Sequence, residues 1–136
     1  MFLDLHPLVI HFPIALFSSA ILFDLISIIY KKNELLITSW WVMFLAIICS
    51  LLAMITGFVD DKLIGHFSDI SPFWLNHSWM QIISVIGFLF LFSWRSKSPN
   101  LFYSNKLFLL YLILGIINVG ILFYGSHLGA QLAGRV

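Results

Sequence analysis

The sequence predicts an all-α integral membrane protein, a four-helix bundle running up-down-up-down across the bilayer. Three observations lead there. The 136 residues are 61% apolar and only 10% charged, with a mean hydropathy of +1.03. A soluble domain carries roughly 25% charged residues, and a chain this short lacks the interior volume to hide so much apolar surface from water. Second, four stretches approach or exceed the roughly 20 residues needed to cross hydrocarbon as helix. Third, the separators are short enough to make successive spans antiparallel neighbours. Net charge is +1, so no basic field marks a nucleic-acid partner. The lipid bilayer is the partner this composition requires.

The four spans are residues 7–30, 37–59, 77–94 and 107–126, forming a single transmembrane domain over 1–136 with no internal repeat. In the first, Pro7 suits an opening helical turn, while Pro13 weakens the backbone ladder close to His11. No basic residue precedes this span and no small-x-small cleavage motif follows it. It therefore reads as a retained span and not a signal peptide.

In the second span, Ala46, Ser50, Ala53, Gly57 and Asp60 recur at three- and four-residue steps. Small residues at that spacing allow close helix approach. Cys49 reads as a packing residue, and a lone cysteine excludes an internal disulfide or a multi-thiolate metal site. In the third span His77, Gln81, Ser84 and Phe88 share a face. The fourth carries Asn118 at mid-span, where an amide serves as interhelical glue. Gly125, Gly129 and Gly134 predict that this helix ends around His127 and that the tail folds back over the bundle.

Orientation follows from basic residues. Loops 31–36 and 95–106 hold Lys31, Lys32, Arg95, Lys97 and Lys106, against Lys62 and Arg135 on the other side. The excess places those two loops in the cytoplasm and both termini outside. Tyr30, Trp40, Trp41, Trp74, Trp79 and Trp94 fall near span ends, where aromatic belts form.

All five histidines then lie toward the outer face. At ~1.5 Å per residue from the cytoplasmic end, His11 lies ~28 Å up, His77 ~27 Å and His127 ~30 Å. His6 lies higher, and His66 sits in the loop above, where a solvated role is expected. His11 aligns with Ala15, Ser18 and Leu22, and His127 with Gly120, Tyr124 and Gln131. These stripes are expected to face the bundle interior. The alternative is that each histidine only meets headgroups and water.

Intramembrane ionisable residues point to function by default, and neutral imidazole is the commonest metal ligand. His11, His77, His127 and His6 are therefore candidate ligands, with Asp60, Gln81 and Tyr124 placed to orient them. A b-type haem between helices is the first reading. Copper or zinc on His11, His77 and His127 is the second. A polar cap with no cofactor is the third.

Asp24 lies about two turns inside the cytoplasmic boundary, where an unpaired charge costs ~2.5–3.5 kcal/mol or more. Asp24 is expected to be protonated, hydrogen-bonded to hydroxyls such as Thr38 or Ser39, or paired with Arg95, its obvious ionic partner. A proton relay is the functional alternative, but one carboxylate makes a poor relay, so a structural role is expected for Asp24, Arg95 and Asn118.

The opening His6-Pro7-Leu8-Val9-Ile10-His11-Phe12-Pro13-Ile14-Ala15-Leu16, with Asp24 downstream, resembles the signature of a bacterial membrane-protein family, domain of unknown function 2231. Gly57-Phe58-Val59-Asp60 resembles that family's end of helix two, and His77 falls where it has a histidine opening helix three. Ser126-His127-Leu128-Gly129-Ala130-Gln131-Leu132 resembles its glycine-rich close, although Ala130 stands where the family has a second glycine. The resemblance spans nearly the whole chain. It implies four helices in a bacterial inner membrane. Some relatives are joined to c-type cytochrome modules, which implies a redox setting.

The combined expectation is a small inner-membrane protein binding b-type haem for electron transfer, beside a periplasmic cytochrome or a larger redox complex. A copper- or zinc-handling assembly factor and a purely structural subunit are the alternatives. No nucleophile–base pair or phosphate loop marks an independent enzyme.

Overall fold

A computed structural model describes residues 5–64 and 72–132. Four long helices dominate it: α1 (Leu5–Tyr30), α2 (Asn33–Ile64), α3 (His77–Lys97) and α4 (Asn105–Leu132). All four are long and apolar enough to cross a membrane. Short 3₁₀ turns, Phe73–Leu75 and Pro99–Phe102, lead into α3 and α4. Among the described residues there is no strand.

The helices outrun the apolar stretches because backbone hydrogen bonding continues beyond the hydrocarbon boundary. α2 starts at Asn33, with Glu34 in its first turn, where a carboxylate complements the helix dipole. Only Lys31 and Lys32 separate it from α1, and Lys31 turns the chain at φ 53°. α3 opens on an Asn76 cap, whose side chain accepts the Ser78 N–H at 3.0 Å.

α4 departs from expectation. It continues past His127 to Leu132, with Gly125 and Gly129 inside the helix. Their role is close packing, not helix termination. A Cβ on Gly125 would lie 3.0 Å from Met80 Cβ, and one on Gly129 would lie 2.7 Å from the His77 ring.

Cross-bundle pairs fix the register. Along α3 and α4, His77 meets Gly125, Gln81 meets Ser126, Ser84 meets Asn118 and Arg95 meets Tyr111. From His77 to Arg95 along α3 the partners on α4 run from Gly125 back to Tyr111, so the two are antiparallel. Ala20–Ser39 relates α1 to α2, and Trp40–Ser96 relates α2 to α3. Asp24–Tyr111 relates α1 to α4. On the diagonal, Phe17 of α1 stacks on Phe88 of α3 with centroids 3.8 Å apart.

The core centres on Phe17, Met43, Phe88, Leu91, Tyr111 and Leu122. The outward face is as apolar as the core, with Ile29, Leu52, Ile86, Phe90 and Ile117 all more than half exposed. Water would not tolerate such a surface, and lipid does. The predicted interior stripe of α2 is borne out as far as it is described: Ala46, Ser50 and Ala53 are buried and Gly57 half-buried.

Candidate functional site

The histidines come first. His77 is half-buried at the start of α3. Its Nδ1 is hydrogen-bonded to the Gly125 carbonyl, so this nitrogen carries the proton and Nε2 keeps the lone pair. The ring lies flush on Gly129, where a side chain would collide with it. One turn on, Gln81 Nε2 donates to Ser126 Oγ at 3.1 Å, and Ser126 Oγ donates to the Leu122 carbonyl at 2.8 Å. His77 thus sits in a built α3–α4 seam.

His11 and His127 do not join it. His11 is exposed on α1, together with Ala15 and Leu22. Only Ser18 of that stripe is half-buried, with its hydroxyl donating to the Ile14 carbonyl at 2.8 Å. His127 is exposed too, along with Gly120, Tyr124 and Gln131. Its Nε2 pairs with the Gln131 amide at 3.2 Å.

The interior-facing expectation therefore fails for the α1 and α4 stripes. On α4 the reason is helical phase. His77 packs on Gly125 and Gly129, and His127 lies two residues from each, roughly 200° around the helix. The side chains of His6 and Asp60, and His66 altogether, lie outside the described residues. Among the described residues, no group of three or more His, Cys, Asp or Glu side chains is placed to hold a metal ion. Among the described candidate ligands, His77 is the one whose ring is hydrogen-bonded to a neighbouring helix.

The most completely built polar constellation lies at the opposite end. Asp24 (0% exposed) and Arg95 (4%) form an ion pair inside the bundle, with Arg95 Nη1 2.8 Å from Asp24 Oδ2. The same nitrogen donates to Ser39 Oγ at 2.9 Å and meets Tyr111 Oη at 3.2 Å. Tyr111 donates to Asp24 Oδ2 at 3.0 Å. Arg95 Nη2 donates to the Leu36 carbonyl, and the guanidinium lies 5.1 Å from the Phe102 ring centroid.

All four helices contribute to this network. Its chemistry is restraint. An arginine fork engaged by a carboxylate, two hydroxyls and a carbonyl fixes helix positions, while Asp24 Oδ1 is buried without a hydrogen-bond partner among the described residues. Thr38 takes no part, since its hydroxyl donates to Glu34 on the exposed side of α2. Asn118 bridges α3 and α4 by donating to the Ser84 carbonyl at 2.9 Å, with Gly87 making room for its amide.

Sequence reasoning missed Tyr111. A readable signal existed: Tyr111, Gly115, Asn118, Leu122, Gly125 and Gly129 recur at three- and four-residue steps. The first five of these are all buried, and Gly129 is half-buried.

A family model described as predicted membrane protein (DUF2231) matches residues 3–136. The chain belongs to that family. Within this DUF2231 protein, the match spans both the histidine end and the ion-pair end. No curated protein and no solved structure matches the chain.

Proposed function

We propose that the protein is a non-enzymatic subunit of a bacterial inner membrane that binds b-type haem at its outward end for electron transfer, with His77 as its protein ligand. The observation carrying this reading is the His77 ring itself. Ligating imidazoles almost always donate their second N–H to a carbonyl or carboxylate, which sets the tautomer and orients the ring. The Gly125 carbonyl takes that role at Nδ1, leaving Nε2 for iron. When bound, haem supplies a reversible one-electron change at the iron. The chain's own residues hold and orient the ligand.

In this reading a second ligand would come from His6 or from a partner such as a periplasmic cytochrome or a larger redox complex. The excess of basic residues in loops 31–36 and 95–106 favours both termini on the periplasmic side. Copper or zinc on the same nitrogen is the runner-up, because imidazole suits both. A purely structural subunit is favoured by a different observation, the Asp24–Arg95–Tyr111 network that ties the four helices together.

The test is purification from haem-replete membranes, with absorption spectra and metal analysis of the parent and His77→Ala. A Soret band in the parent that is lost in His77→Ala supports haem ligation. Haem retained at parental level in His77→Ala overturns the His77 assignment. Colourless protein containing copper or zinc transfers the reading to metal handling, and colourless, metal-free protein transfers it to the structural subunit.

A further inference from the structure

Between α3 and α4, at the end bearing the Asp24–Arg95 pair, the outer surface opens into a groove of about 540 Å³. Its lining comes from Phe90, Ser93, Trp94 and Lys97 of α3 and from Leu110 and Leu114 of α4, with Ser98 closing one end. Trp94 is tilted against Phe90, with centroids 6.1 Å apart, and stands edge-on to Tyr111 at 6.3 Å. The tryptophan therefore forms a firm back wall tied to the bundle core.

The lining is graded along the helices. Phe90, Leu110 and Leu114 lie toward mid-membrane and are apolar, while Lys97 and Ser98 lie at the helix end and are polar. On α3, Phe90, Trp94 and Lys97 succeed one another on one face at four- and three-residue steps, and Lys97 is exposed. On α4, Lys106 stands four residues before Leu110, hence one turn closer to the same end on the same face. It too is exposed. Each wall thus ends in a lysine, and no acidic residue lines the groove.

We propose that this groove is a binding site for one anionic phospholipid of the surrounding bilayer. The acyl chain lies along Phe90, Trp94, Leu110 and Leu114, and the phosphate sits between Lys97 and Lys106. The occupant follows from the gradient and the charge. An aqueous anion has no use for the apolar wall, and a zwitterionic lipid, whose own cation offsets its phosphate, leaves the charge of two ammonium groups uncompensated. A basic pocket between membrane helices is the chemistry that selects anionic headgroups, at about 1 kcal/mol per lysine near the surface.

The experiment is native mass spectrometry of the full chain in mild detergent, titrated with phosphatidylglycerol or phosphatidylcholine. The parent is expected to bind one phosphatidylglycerol in clear preference to phosphatidylcholine. Lys97→Gln or Lys106→Gln alone is expected to weaken phosphatidylglycerol binding ~5-fold, and the pair together ~30-fold. Ser93→Trp, which fills the groove without touching charge, is expected to remove the bound lipid.

The control is Lys31→Gln with Lys32→Gln, two exposed lysines between α1 and α2, outside the groove lining. Equal affinity of the parent for both lipids overturns the proposal. So does a loss in the Lys31/Lys32 control as large as that in the Lys97/Lys106 variant, because a diffuse basic field then explains the binding. Both lysines of the groove are exposed, so their substitution leaves the core intact, and an unchanged helical circular dichroism spectrum checks this.

Discussion

Arg95 of α3 and Asp24 of α1 meet at 2.8 Å in a space closed to solvent and lipid alike. Tyr111 of α4 and Ser39 of α2 complete the enclosure around them. A buried pair contributes through being complete, because removing one partner strands the other charge in a medium that cannot solvate it.

Arg95→Met is therefore expected to cost ~3–5 kcal/mol of stability, read as a lower midpoint on titrating detergent-solubilised protein with a denaturing surfactant. Adding Asp24→Leu to that variant should recover part of the loss. Costs that simply add in the double variant would show that the two side chains are not coupled.

Tyr111→Phe keeps the ring among Trp94 and Phe108 but deletes the hydroxyl that donates to Asp24. The expected loss is ~1–3 kcal/mol, the usual cost of a missing partner for a buried polar group. A loss as large as that of Arg95→Met would place the burden on the hydroxyl and not on the ion pair.

Gly87 and Gly120 provide a matched comparison within helices. A Cβ on Gly87 would lie 2.7 Å from the Asn118 amide, whereas one on Gly120 meets nothing within 4 Å. Gly87→Ala should destabilise by ~1–3 kcal/mol through overpacking. Gly120→Ala should be neutral or stabilising by up to ~1 kcal/mol from helix propensity. Thermal unfolding of both variants followed by circular dichroism decides it, and equal losses would remove the distinction.

Orientation is checked with a reporter active only in the cytoplasm. Fused after Val136 it should be silent, and fused within the loop between α3 and α4 it should be active. The reverse pattern would put the histidines on the cytoplasmic side.

The number of helices was legible because hydropathy alone marks spans. The Asp24–Arg95 pair was legible because two charges buried at one level have few ways to be tolerated. Side-chain direction was not. α1 and α4 are apolar nearly all round, so no polar face indicates which side looks inward. The small-residue clue chose Gly120, which faces open space, over Gly125 and Gly129, which seat α3. His127 followed Gly120 onto the outer surface, and His11 had only Ala15 and Ser18 to orient it. His77 faces the neighbouring helix because Gln81, Ser84 and Phe88 beneath it form a graded stripe ending in the core.

The separation of Asp24 and Arg95 along the chain, 71 residues, also sets a schedule for biogenesis. At 5–20 residues per second, translation takes roughly 4–14 s to make the arginine after the aspartate has emerged. During that interval the nascent first hairpin holds a carboxylate without its counter-ion. A chain that stalls after α2 keeps that defect permanently. The same contact that locks the finished bundle is thus absent from an unfinished one.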